Sequence, residues 1–182
     1  MDRVFILDCS GSMESCWDDT IGGFNSFLAS QKDLGGTMTL VHFDHEYFPK
    51  YSRVDIKKCE NLSRDTYRPR GSTALLDAIG KTIKDWNSSS TPSVVILTDG
   101  YENASKAYTK AHIKDLIEQK TKEGWTFAYL GANQDAFQEA GSIGIDSRSV
   151  MNYDGSRTPE AFTRLSQAVS SQASGVSATV NF

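Results

Sequence analysis

Four short apolar runs, Val4 to Leu7, Met38 to Phe43, Val94 to Leu97 and Phe127 to Leu130, alternate along the chain with stretches of helical period. Three of the runs are continuous or nearly so, the pattern of strands covered on both faces in a parallel sheet. Between them, Trp17, Ile21, Phe24 and Leu28 draw one apolar stripe, and Leu75, Leu76, Ile79, Ile83 and Trp86 a second. Ile113, Leu116 and Ile117, and then Phe162, Leu165 and Val169, repeat it. Strand, helix, strand in repetition predicts an α/β fold: an open, doubly wound, mostly parallel sheet with helices on both faces.

Punctuation residues support these boundaries. Gly35 and Gly36 end the first helix, Gly124 ends the one before Trp125, and Thr158-Pro159-Glu160 opens the last. Tyr47 to Ile56 alternates, is aromatic and contains Pro49, which suits an antiparallel edge strand hairpinned to the second. Ser149 to Tyr153 reads as a last strand on the opposite edge. The 182 residues make one domain over 1–175, with 176–182 expected to fray.

Charge narrows the partners. Nineteen Lys plus Arg against 23 Asp plus Glu leave a net −4, no surplus for a phosphate backbone, so nucleic acid is not an expected partner. No run reaches membrane-spanning length. Cys9, Cys16 and Cys59 are odd in number and lack CxxC spacing, so they read as reduced thiols, and the expected compartment is the cytoplasm. Oligomeric state is not readable.

The chemistry concentrates at strand ends. Asp8-Cys9-Ser10-Gly11-Ser12 follows the first run, and Asp99-Gly100 follows the third. In doubly wound sheets ligands bind at the carboxyl ends of strands where the strand order reverses, so neighbouring strands here would bring both carboxylates to one crevice. Gly71-Ser72-Thr73 opens the next helix and offers a hydroxyl. Carboxylates and hydroxyls without imidazole or thiolate favour one divalent cation of the hard type, Mg²⁺ first, with Mn²⁺ and Ca²⁺ as alternatives. Taken separately, each piece is also an ordinary turn or cap sequence.

DCSGSM, GSTAL and TDGYEN together resemble the von Willebrand factor type A domain and its metal-ion-dependent adhesion site, over nearly the whole chain. The resemblance implies a Rossmann-like six-stranded sheet with one antiparallel edge strand. It implies Asp8, Ser10, Ser12, Thr73 and Asp99 as metal ligands, in a stand-alone intracellular type of the domain. It implies a non-enzymatic, metal-dependent protein-binding module in which the cation captures an Asp or Glu of a partner. A scaffold subunit of a larger, possibly ATPase-linked, complex with a structural metal is the second reading. A Mg²⁺-dependent phosphatase using Asp8 as nucleophile is the third; such enzymes place an acid two residues later, where this chain has Ser10. His42 is expected as a hydrogen-bonded core or face residue, Asp44 and His45 as loop residues near the crevice, His112 as packing, and Trp17, Tyr47, Phe48, Tyr51, Tyr67 and Tyr101 as either rim contacts or simple packing.

Overall fold

The computed structural model describes residues 1–132, 135–153, 158–175, 177 and 179–182. The strands are β1 (Asp2–Asp8), β2 (Thr37–Phe43), β3 (Tyr47–Asp55), β4 (Ser93–Thr98), β5 (Thr126–Gly131) and β6 (Val150–Asn152). Between them run α1 (Trp17–Lys32), α2 (Leu75–Asp85), α3 (Lys110–Lys122) and α4 (Ala136–Ser142), and α5 (Thr158–Ala173) follows β6. The sheet order is β3-β2-β1-β4-β5-β6, parallel throughout except for β3, which runs antiparallel to β2.

Alternation along each central strand divides the core in two. Phe5 and Leu7 of β1, Val95 and Leu97 of β4, and Ala128 and Leu130 of β5 face α1 and α5. Val4 and Ile6, Val94 and Ile96, and Phe127 and Tyr129 face α2, α3 and α4. This is why the runs lack polar residues: successive side chains point to opposite faces, and both faces are covered by helices. At the centre of the first face Phe5 meets Phe24 edge-on with ring centroids 5.2 Å apart, Phe27 at 5.5 Å and Phe162 at 6.3 Å.

The expected elements all lie within the observed ones to a few residues, and α4 is the addition. Its sequence, AFQEAGS, is too short to draw a stripe; Ala136 and Ala140 bury against the sheet once β5 positions them. The tail also differs from the fraying expected of it. The helix ends at Ala173, but Val180 is fully buried, Ser149 Oγ donates to its carbonyl at 2.6 Å, and the Phe182 N–H donates to the Arg148 carbonyl at 3.0 Å. An apolar residue in a Ser- and Ala-rich tail found a gap beside β6, which local sequence does not reveal. Residues 176 and 178 lie outside the described residues.

His42, in β2, is 2% exposed and stacks edge-on with Tyr67 at 5.3 Å, but its Nε2 has no hydrogen-bond partner among the described residues, contrary to expectation. Burial first, and then the Lys50 charge, pushes its pKa down to about 3. The unfolded chain takes up this proton below about pH 6.5 and the folded chain does not. The contribution is therefore complete above pH 6.5 and is lost progressively as pH falls toward 3. The stability difference between wild type and His42→Gln should shift by about 2 kcal/mol between pH 7 and pH 5, in favour of the variant. Urea unfolding at the two pH values measures it; an unchanged difference places the titration elsewhere.

Candidate metal centre

β1 and β4 are sheet neighbours in register from Arg3–Ser93 to Leu7–Leu97, and β2 lies on the other side of β1. The chain order reverses at β1, so Asp8 and Asp99 leave adjacent strands at the crevice. Asp8 is fully buried. Its Oδ1 accepts the Ser10 N–H at 2.6 Å and its Oδ2 accepts the Thr98 hydroxyl at 2.5 Å. Ser12 Oγ donates to Asp99 Oδ1 at 2.6 Å and lies 3.2 Å from Ser10 Oγ. Ser10, Ser12, Thr73 and Asp99 line one cleft of about 420 Å³, rimmed by Tyr101 and Asn103.

Gly100 measures how tightly the hydroxyls converge. A Cβ there would stand 2.9 Å from Thr73 Oγ1, 3.2 Å from Ser12 Oγ and 3.5 Å from Ser10 Oγ. Three hydroxyl oxygens from two separate loops therefore surround a space that any side chain would fill. Four of the five residues expected from the sequence line this cleft, and the fifth, Asp8, is buried behind it on the Ser10 N–H. Cys9 does not join them: its side chain turns into the α1-side core, and burial pushes its thiol up to about 12.

Loop-to-loop hydrogen bonds hold the convergence. The Gly11 N–H donates to the Gly71 carbonyl at 3.0 Å and the Arg70 N–H to the Cys9 carbonyl at 2.7 Å, pinning the first loop to the second. Asn103 Oδ1 accepts the Thr73 N–H at 2.9 Å, while the Asn103 N–H returns to the Thr73 carbonyl at 3.0 Å, pinning the second to the third. From below, the fully buried Tyr67 donates its hydroxyl to the Asp8 carbonyl at 2.6 Å. Thr98 and Asn103, both within the TDGYEN segment, were not expected as site residues, and Tyr67, expected as a rim contact or as packing, supports the first loop from the core.

Desolvation is the main influence on both acids. It pushes the Asp8 carboxyl up to about 6 against its hydrogen bonds, with the Asp99 charge adding to the rise, and it raises Asp99 as well. A cation would favour the charged forms of two carboxylates that burial has drawn from water toward one cleft. The donor set is all oxygen, so a hard divalent ion fits it and zinc or copper does not. A second set, Asp44, His45 and Glu46, also has its donor atoms within 4.8 Å of one another. There Arg70 already reaches the Asp44 carboxylate at 2.7 Å and pairs with Glu46, so a guanidinium stands where an ion would bind. Tyr101 is 55% exposed beside the cleft, with its hydroxyl on Asp135 at 2.7 Å. His112, expected to pack, is exposed and only leans on Tyr108.

An open six-stranded, mostly parallel sheet with helices on both faces and an oxygen-lined cleft at its reversal point defines a Rossmann-like α/β fold. Solved structures make the fold specific: it is that of a von Willebrand factor type A domain. A von Willebrand factor type A protein from Catenulispora acidiphila is 17% identical, with a TM-score of 0.62 over 92% of this chain and 42% of that one. Proximal thread matrix protein 1 of the mussel byssus is 17% identical, TM-score 0.66, over 92% of this chain and 45% of that one. The manganese-loaded TRAP protein of Plasmodium vivax is 19% identical, TM-score 0.63, over 88% and 70%. The chain thus spans less than half the length of the first two. No protein-family model matches the sequence, and no curated protein matches it. Among the described residues no helix is long and apolar enough to cross a membrane.

Proposed function

We propose that the chain is a metal-dependent protein-binding module whose cleft holds one divalent cation, Mg²⁺ in the first instance, on Asp8, Ser10, Ser12, Thr73 and Asp99. The observation that carries this reading is the convergence of three hydroxyls and Asp99 around Gly100. When bound, the cation supplies an electrophilic centre for the carboxylate of a partner's Asp or Glu. The chain's own residues do the rest. Three neutral hydroxyls line the cleft beside Asp99 and leave part of the cation's charge uncompensated, while the buried Asp8 carboxylate is held by Ser10 and Thr98. Both Asp8 oxygens are engaged and the side chain is buried, which counts against Asp8 as a nucleophile.

Peptide display tests the reading. Peptides selected on the immobilised chain in Mg²⁺ and eluted with EDTA should share an Asp or Glu. Converting that residue to its amide should weaken binding at least about thirtyfold, the scale of losing one partner of a desolvated charge contact. Asp99→Ala and Gly100→Ala should both lose capture, the first by removing a ligand and the second by placing a methyl among the hydroxyls. Binding that ignores EDTA, or that Asp99→Ala retains at full strength, refutes the cation as the contact.

A further inference from the structure

A second cleft, of about 310 Å³, opens on the α1-side face of β2 and β3, behind the metal loops. His42, Phe48 and Lys50 of the two strands line it, and Asp65, Arg68 and Arg70 come from the connection leading to Gly71. Its polar groups are mostly donors. Arg70 uses Nε and Nη2 on Asp44 and Glu46 and lies over the Phe48 ring at 5.0 Å, which fixes the guanidinium and leaves Nη1 unengaged among the described residues. Arg68 gives Nε to the Arg64 carbonyl and Nη2 to Asp65, again leaving Nη1. Lys50 has no ion-pair partner among the described residues, and the buried His42 Nε2 has no hydrogen bond.

We infer that this cleft is an oxyanion site, taking a phosphate or carboxylate group between Lys50, the free Nη1 atoms of Arg68 and Arg70, and the His42 imidazole. The chemistry follows from the imbalance. Two guanidinium edges and an ammonium offer charge-assisted donors, and the one lining carboxylate, Asp65, is occupied by Arg68. Neutral imidazole carries one N–H and adopts the tautomer its partner requires, so an anion would end the isolation of a buried nitrogen that otherwise costs free energy. Lys50 already acts electrostatically on both His42 and Cys9, so its charge is felt at the floor of the cleft. The site stands apart from the cation cleft: no residue lines both.

The test is an NMR titration of the full chain in EDTA, which removes any contribution from the cation, following the His42 imidazole at constant ionic strength. Inorganic phosphate and glutarate are the two probes, with chloride as the control. A saturable His42 shift is expected with one of them; phosphate binding tighter assigns a phosphate group, glutarate a carboxylate. Lys50→Met, a substitution at an exposed position, should weaken that binding about tenfold, the loss of one charge-assisted hydrogen bond, while Lys57→Met leaves it unchanged. A response no different from chloride, or the same affinity in Lys50→Met and Lys57→Met, overturns the assignment.

Discussion

Saturating Mg²⁺ or Mn²⁺ is expected to raise the melting temperature of the wild-type chain by roughly 5–10 °C over its value in EDTA and to leave Asp8→Ala unmoved. A ligand that binds only the folded state at a hundredfold above its Kd stabilises by about 2.7 kcal/mol. The five proposed ligand residues come from three loops and lie up to 91 positions apart, so the unfolded chain has no comparable site. In the metal-free state the buried Asp8 carboxyl and its neighbour Asp99 are both shifted toward their neutral forms, chiefly by desolvation, and a bound cation reverses that preference. Differential scanning fluorimetry of both proteins with EDTA and with each metal reads the effect directly. Equal shifts in wild type and Asp8→Ala would assign the binding to another place on the surface.

The largest stability loss is expected at the middle of the same strand. Phe5→Ala removes the ring on which Phe24, Phe27 and Phe162 converge, at a position with no solvent exposure. Its cost should be about 3–5 kcal/mol, a large part of the total for a domain of this kind. Urea unfolding should show a lower midpoint with an unchanged slope, and Phe5→Leu, which keeps more of the volume, should lose far less. The four rings join β1 to α1 and α5, so their loss loosens the support of the strand that carries Asp8. A Phe5→Ala midpoint close to wild type would mean that the surrounding helices close over the cavity.

Much of the fold was legible because its signals are local. The runs at Val4, Val94 and Phe127 show no alternation because helices cover both sheet faces, and Pro49 marks the edge strand because a missing N–H is tolerated there. Gly36 at φ 96° and Gly124 at φ 97° end their segments for the reason the sequence suggests, a backbone geometry that residues with a Cβ avoid. α4 and the buried Val180 were not legible, since each is held by a surface that other segments build.

The same division holds at the site. By itself the sequence marked Asp8 and Asp99 at strand ends, Ser10 and Ser12 in the loop after the first strand and Thr73 at a helix start, because strand length and loop chemistry are written in consecutive residues. Tertiary structure alone decided that β1 and β4 are neighbours, that Tyr67 supports the Asp8 carbonyl across 59 positions, and that Gly100 keeps the space among three hydroxyls open. It also decided that Lys50, Arg68, Arg70 and His42, whose buried Nε2 has no hydrogen bond among the described residues, share one cleft. Such contacts join residues far apart in the chain, and their distances follow from sheet register and helix packing, which no local window of sequence contains.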